Sequence, residues 1–449
     1  MELKIEKLIY GGDGLARLPS ADPGRAGKAV FVPFTIAGEV VDATITEQKP
    51  GFARARAERI IQSSPERTLP GCPYFGDCGG CQYQHMTYEA QLRAKAEILR
   101  ETLQRTVRIT PPDITTHASP SWNYRNRTRM RVQQTPGLAN TGLDRGTRFA
   151  IGYNRFASHV LLPVRECPIS SPLINRTLAA IWKIGESGGM PQGVVEIEFF
   201  ANAEDTEILL EVTLARGTQR RNVRALVDFV QDLRAETAEL VGVVPFTQAA
   251  TPDHIRRIDV TEEQQNMLGR DSLAYRTRGA QYQVSAGSFF QTNRYLVDSM
   301  VALATDGYTG DRALDLYAGV GLFTLPLSQT FREVSAVEVA PFSFHDLHAN
   351  SPSNMKGHRV RVEDFLKTVE DPRFDYVVLD PPRGGLGEGA AKLMAGFAAP
   401  RITYVSCDPA TLARDLKVLV AGGYRLTALH LLDLFPQTFH IETVVHLAL

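Results

Sequence analysis

The sequence contains no apolar run long enough to cross a bilayer. Its first residues, "MELKIEKLIYGGDG", lack the apolar core of a secretory signal. These absences predict a cytoplasmic protein without a membrane partner. Cysteine is scarce: five residues in a chain of 449 cannot form a disulfide framework. Charge of either sign is not in excess, because the formal net charge is −1. Bulk electrostatics therefore do not announce a nucleic-acid partner, which would need a local basic surface.

What is present points to a multidomain globular protein. Apolar residues make up 43% of the chain, as in globular proteins, and the length predicts two to four domains. Residues 1–64 read as a small β domain, since "KAVFVPFTIAGEVVDATITEQ" alternates apolar and polar positions. In "GFARARAERIIQ", Arg54 and Arg56 fall on one strand face. A stretch from 65 to 280 follows, in which residues 132–280 alternate short strands and helices. It opens on "LPGCPYFGDCGGCQYQHM", continues into an amphipathic helix, "TYEAQLRAKAEILRETLQR", and includes an expected loop, "IWKIGESGGMPQG".

Within that stretch, "SWNYRNRTRMRV" sets Arg125, Arg127, Arg129 and Arg131 at period two beside Trp122 and Tyr124. Four arginines on one strand face repel one another without an anionic partner. Interleaved aromatics can stack bases, so the expected partner is RNA or DNA. Cys72, Cys78 and Cys81 form C-x5-C-x2-C, and Cys167 lies far downstream. Three clustered thiols and a distant fourth imply a metal site, for which zinc and an iron–sulfur cluster both remain open.

Residues 281–449 have the texture of regular α/β structure. "RALDLYAGVGLFTLPLS" reads as strand, glycine turn and helix start, as at the opening of a nucleotide-binding fold. "VSAVEVA" ends at Glu338, where an acid can hold ribose hydroxyls. "FDYVVLDPPRGG" ends at Asp380 and "RITYVSCDP" at Cys407; two later segments can close the sheet. Gly319, Glu338, Asp380 and Cys407 thus fall at carboxyl ends of strands, where ligands bind in open α/β sheets. The glycine turn lacks the third glycine of the dinucleotide fingerprint. That favours S-adenosylmethionine, which has no pyrophosphate, over a nicotinamide cofactor.

"DLYAGVG", "VLDPPRGG", "YVSCDPATLARDL" and "LFPQTFHIETV", in that order, resemble the RNA uracil-5-methyltransferase family, as does "SFFQTN" at Ser288–Asn293. The resemblance extends to nearly the whole chain, because the first domain looks like a TRAM domain. It implies a TRAM-like barrel, an α+β central domain and a Rossmann-like class I methyltransferase domain. It implies Cys407 as nucleophile and Glu442 as the base removing the C5 proton. Gln291, Tyr317, Glu338, Asp364 and Asp380 would line the S-adenosylmethionine site, with Gly319 and Gly321 letting the backbone approach. For Cys72, Cys78, Cys81 and Cys167 it implies a [4Fe-4S] cluster. The chain departs from the family at Leu322 and Asp408, where asparagine is usual. A carboxylate beside the nucleophile would raise the thiol pKa unless paired or turned away.

The chemistry accounts for the residue types. Uracil C5 is a poor nucleophile until a thiolate adds at C6; a base must then remove the C5 proton. The expected protein is a monomer that methylates C5 of a uridine in structured RNA, 23S rRNA ahead of tRNA. Two rivals are methylation of an amino group, suggested by "DPPR", and a non-catalytic RNA-binding protein on the same fold.

Overall fold

The computed structural model describes residues 1–19, 27–134, 149–217, 221–249 and 255–449. The alternating N-terminal segment folds as expected into strands Ala29–Pro33 and Val40–Gln48, whose buried positions recur at every second residue. They belong to a six-stranded sheet in the order Glu2–Lys4, Val40–Gln48, Phe52–Gln62, Ala29–Pro33, Asp13–Arg17, Lys7–Leu8. Leu3, Ile5, Val30, Val32 and Val41 fill its inner face. Arg54 and Arg56 lie on the outer face, where Arg54 pairs with Asp13 at 3.0 Å and Arg56 with Glu58 at 2.9 Å.

A seven-stranded sheet occupies the middle of the chain, with Arg127–Gln134 and Val194–Ala201 adjacent and antiparallel within it. The helices Pro172–Glu186 and Arg221–Glu236 pack on each other and on this sheet. The expected loop at 181–193 is shorter than its glycines suggested. Leu173, Ile174, Leu178, Ile181 and Trp182 are buried at helical spacing, and the helix runs on to Glu186. Gly188, at φ +88°, turns the chain away after Ser187.

The C-terminal sheet, the catalytic one by the resemblance above, has eight strands. Their order is Met355–His358, Phe331–Val337, Gly310–Leu316, Tyr376–Leu379, Arg401–Ser406, Glu442–Ala448, Arg425–Leu432, Ile114–His117. The first five are parallel, and Glu442–Ala448 runs antiparallel to both of its neighbours. Two strands, Met355–His358 and Ile114–His117, were not legible in the sequence, each being only four residues long. The second binds this sheet from far upstream, by parallel pairing with Leu429–Leu432. The helix before it, Tyr88–Val107, packs on the helix Pro409–Ala421. Residues 88–117 therefore lie with the catalytic sheet in space, although by sequence they fall between 65 and 280. Among the described residues, no helix is long and apolar enough to cross a membrane.

One buried ion pair ties these segments together. Lys95 donates to Asp433 at 2.6 Å and to the Phe435 carbonyl at 3.0 Å, and both charged side chains are 0% exposed. Removing one member of such a pair strands the other charge. Lys95→Ala should therefore lower the unfolding free energy by about 3–5 kcal/mol, read from urea unfolding followed by circular dichroism. A loss below about 1 kcal/mol would show that the pair is not holding charge there.

Candidate active site

A cavity of about 810 Å³ opens at the carboxyl edge of the parallel strands. Its floor is the turn after Gly310–Leu316, where Tyr317, Gly319 and Gly321 all take positive φ. A Cβ at Gly319 would meet nothing within 4 Å, so the backbone there is open to a ligand. The Gly319 N–H donates to Glu338 Oε2 at 3.0 Å, and Ala340 N–H donates to Oε1 at 2.6 Å. Glu338 is thereby held across two strand ends and faces the cavity. Gln291 also lines it and donates to Asp380 at 3.4 Å. Leu322 contributes an apolar wall where the family's usual asparagine would be polar.

Two expected cofactor residues stand elsewhere. Asp364 is in the first turn of the helix Val362–Thr368, exposed and paired with Lys367 at 3.8 Å, while the preceding Glu363 lines the cavity. The helix turns consecutive side chains apart, so only one of the two faces inward. Gly321 does not line the cavity; its positive φ shapes the turn, and a Cβ would meet Leu347 at 3.1 Å.

Cys407 and Glu442 line the same cavity as Asp380. Cys407 follows the strand Arg401–Ser406, and Glu442 begins the antiparallel strand beside it, with Ser406 opposite Thr443. Asp408 is turned away from the thiol: its carboxylate accepts from Ala410 N–H at 3.0 Å and Thr411 N–H at 2.9 Å, capping the helix Pro409–Ala421. The charges that do act on Cys407 are others. Burial pushes the thiol up to about 12, the Glu442 and Asp380 carboxylates add to this, and Arg383 opposes it. Burial likewise lifts Asp380 to about 7, and burial and Asp380 together hold Glu442 well above the usual carboxylate range.

Arg383, His440 and Tyr10 were not singled out in the sequence. The loop carrying Arg383 is clasped to the helix after Cys407, through Thr411 Oγ1 donating to the Arg383 carbonyl at 3.0 Å and Arg414 to the Gly384 carbonyl at 2.7 Å. Arg383 also reaches His440 Nε2 at 3.4 Å, and burial holds that imidazole down at about 3, so it is neutral. The arginine after "DPP" was a visible signal; Tyr10, whose hydroxyl lies 3.5 Å from the Cys407 carbonyl, gave none.

A second cavity, of about 410 Å³, is lined by Cys72, Cys78, Cys81 and Cys167, and shares Arg383, Phe435 and His440 with the first. Burial pushes the Cys78 thiol up to about 11 and Cys81 up to about 12. Among the described residues, no three His, Cys, Asp or Glu side chains are set to hold a single metal ion.

The arginine row is not a free stripe. Arg127 is 7% exposed and pairs with Glu198 and, at 3.0 Å, with Glu211, also donating to the Ser288 carbonyl at 2.6 Å. Arg129 pairs with Glu198 and with Glu196 at 3.3 Å. Arg131 is exposed and donates to Asn154 Oδ1 and the His159 carbonyl, both at 2.8 Å. Arg125 precedes the strand and faces the cysteine cavity. The anionic partner that the row requires is supplied largely within the chain, because register sets Glu198 opposite Arg129 and Glu196 opposite Arg131. Nor are the aromatics a stacking platform: Tyr124 is fully buried, donating to the Pro436 carbonyl at 2.9 Å, and Trp122 packs on Gly71.

A glycine turn at the first strand end, an acid at the second and a cavity between them define a class I S-adenosylmethionine-dependent methyltransferase. Residues 87–449 match the family described as tRNA (Uracil-5-)-methyltransferase, and residues 1–57 match the TRAM domain. The chain belongs to this family of RNA (uracil-C5) methyltransferases. An RNA methyltransferase of Aquifex aeolicus is 31% identical over 99% of this chain and 97% of its own length. The 23S rRNA (uracil(1939)-C(5))-methyltransferase RlmD of Yersinia enterocolitica is 31% identical over 93% of this chain and 90% of its own. The fold is shared with the Pyrococcus abyssi tRNA (uracil-54, C5)-methyltransferase in complex with S-adenosyl-L-homocysteine, at TM-score 0.72 and 21% identity over all of both chains.

The electrostatics make a direct prediction for ligand-free protein. A thiol raised to about 12 is protonated throughout the neutral range. Iodoacetamide labelling of Cys407, followed on the tryptic peptide 402–414, should rise about tenfold per pH unit up to pH ~10 without levelling off. Glu442→Gln removes a carboxylate that opposes the thiolate and speeds labelling at a fixed pH high enough to ionise Glu442; Arg383→Met slows it. A plateau near pH ~8.5, as for a free thiol, would contradict the assignment.

Proposed function

We propose that the protein methylates C5 of a uridine in 23S rRNA through a covalent adduct between Cys407 and C6 of the base. The reading rests on one observation: Cys407 and Glu442 start from adjacent antiparallel strand positions and line one cavity with Asp380. S-adenosylmethionine, when bound, supplies the methyl group as a sulfonium. Glu338 and Gln291 line its side of the cavity and would orient it, with Gly319 giving it room. Tyr317 belongs to the same wall.

The Cys407 thiolate attacks C6, forming the C–S bond and moving the ring electron pair toward C5 and O4. C5 takes the methyl group as the S–CH3 bond breaks, its electron pair staying on sulfur as the neutral thioether S-adenosylhomocysteine. Glu442 then removes the C5 proton, and the electrons left behind expel Cys407, breaking the C6–S bond and restoring the ring. Arg383 is the cation in the cavity wall whose charge favours the thiolate. The high proton affinity of Glu442 suits an acceptor, provided that it starts ionised. A bound sulfonium would favour that state by opposing the repulsion from Asp380.

Ribosomal RNA is preferred because relatives carrying that name match over 93% and 98% of this chain at 31% and 30% identity. The tRNA enzyme shares the fold only. Methylation of an amino group would leave Cys407 and Glu442 without a task. The enzyme acts in the cytoplasm as a monomer, on RNA bound by the TRAM domain at 1–64, the central stretch 65–280 and the catalytic part 281–449. Of the arginine row, Arg131 remains the exposed candidate for phosphate contact.

Cys72, Cys78, Cys81 and Cys167 would hold a [4Fe-4S] cluster. The support is that all four thiols line one cavity, and four cysteine ligands suit such a cluster. Anaerobically purified protein should contain about four irons per chain and absorb visible light. Stoichiometric zinc without iron would contradict this.

The covalent mechanism is tested by two variants with labelled methyl donor and rRNA. Cys407→Ala should give neither transfer nor adduct. Glu442→Gln should still transfer the methyl group, with release slowed roughly 10²–10⁴-fold, so a labelled, denaturant-stable protein–RNA band accumulates. Normal turnover by Glu442→Gln would assign the base elsewhere, and activity in Cys407→Ala would end the covalent reading. Methylated-nucleoside maps of ribosomal and transfer RNA from a deletion strain identify the substrate.

A further inference from the structure

Among the described residues, Arg125 is a cation without a counter-ion. It lines the cavity formed by the four cysteines. Its Nε is enclosed and has no hydrogen-bond partner. Among the described residues its guanidinium forms no ion pair, and its recorded aromatic neighbour is the ring of Phe435, at 5.8 Å. The position is fixed on both sides, since the Arg125 N–H donates to the Ile169 carbonyl at 2.9 Å and its own carbonyl accepts from Ser171 N–H at 2.8 Å. Those contacts register it against the segment that carries Cys167.

Nothing else on the cavity wall neutralises it. Arg129 is occupied by Glu196 and Glu198. Glu166 is exposed to solvent. Arg383 and His440, on the shared wall, are a cation and a neutral ring bonded to each other. Arg125 is half-buried, and its enclosed Nε is a charged donor without a partner, which is costly and which proteins usually pair or neutralise. The missing charge must then come from the occupant of the cavity. Four thiolates around a [4Fe-4S] core, or around a zinc ion, are formally a dianion.

We propose that Arg125 is the counter-ion of the anionic metal–thiolate group held by Cys72, Cys78, Cys81 and Cys167, and that it makes no contact with RNA phosphate. The inference rests on the cluster reading above. Its consequence is electrostatic: a cation against the cluster favours the more negative, reduced form, so Arg125 raises the reduction potential and slows loss of iron.

The test uses full-length protein reconstituted anaerobically with ferrous iron and sulfide, as wild type, Arg125→Gln and Arg125→Lys. Arg125→Gln should shift the oxidised-to-reduced ratio at fixed potential at least tenfold toward oxidised, about 59 mV for one electron. It should also lose iron to a chelator faster. Arg125→Lys keeps the charge and should stay within threefold of wild type on both readouts. The salt slope for binding a 23S rRNA transcript should be unchanged in both variants. Wild type that takes up no iron overturns the cluster reading and this proposal with it. Wild type that takes up iron while Arg125→Gln keeps its potential overturns the counter-ion alone. A salt slope shallower by about one unit in Arg125→Gln would assign Arg125 to a phosphate instead. Should Arg125→Gln fail to fold, Arg125→Lys decides: a shifted potential or lost iron there shows that charge is not what the site needs.

Discussion

Glu442 reaches Cys407 because the last strand runs against its neighbours. In a wholly parallel sheet the first residue of a strand lies at the amino edge, far from the ends that carry Gly319, Glu338, Asp380 and Cys407. The antiparallel insertion of Glu442–Ala448 beside Arg401–Ser406 brings a strand's beginning to the catalytic edge. It also requires that the chain leaving Arg425–Leu432 turn back at that same edge. The turn, residues 433–441, supplies Phe435 and His440 to both cavity walls.

That turn is held by residues from elsewhere in the chain. Lys95 grips Asp433, Gln91 exchanges two hydrogen bonds with Gln437, and Tyr124 bonds the Pro436 carbonyl. Gln82 and Tyr83, immediately after Cys81, donate to the Gln437 carbonyl at 3.0 Å each. The cysteine loop and the catalytic edge are therefore one hydrogen-bonded unit. The edge itself is rich in carboxyl groups, with burial raising both Asp380 and Glu442, Asp380 raising Glu442 further and Arg383 opposing this. Such an edge is suited to a methyl donor that carries a positive charge.

Much of this was legible because the informative residues are local. Strand, turn and terminal acid recur in short segments, and Glu338, Asp380 and Cys407 follow directly from where each apolar run stops. The errors arose where the decisive partner is distant in sequence. The arginine row looked unpaired because Glu196, Glu198 and Glu211 lie on other strands, and only register brings them opposite. Asp364 and Glu363 are neighbours in sequence but diverge on a helix, so motif position could not choose between them. Asp408 looked like a threat to the thiolate, yet the helix that starts beside it takes its carboxylate as a cap. The edge strand Ile114–His117 is too short to be read from pattern, and its partner lies at the other end of the chain.

The central claim, that Cys407 forms a bond to C6 and that a C5 proton must then leave, is tested most directly with wild-type enzyme and RNA carrying 5-fluorouridine at the target position. Fluorine cannot depart as the proton does, so the methylated intermediate should remain attached. Intact-mass analysis should find protein plus RNA plus one methyl group. Digestion should place the link on the peptide 402–414, which contains Cys407. Free enzyme and free RNA after incubation with methyl donor, or a link on any other peptide, would contradict the account.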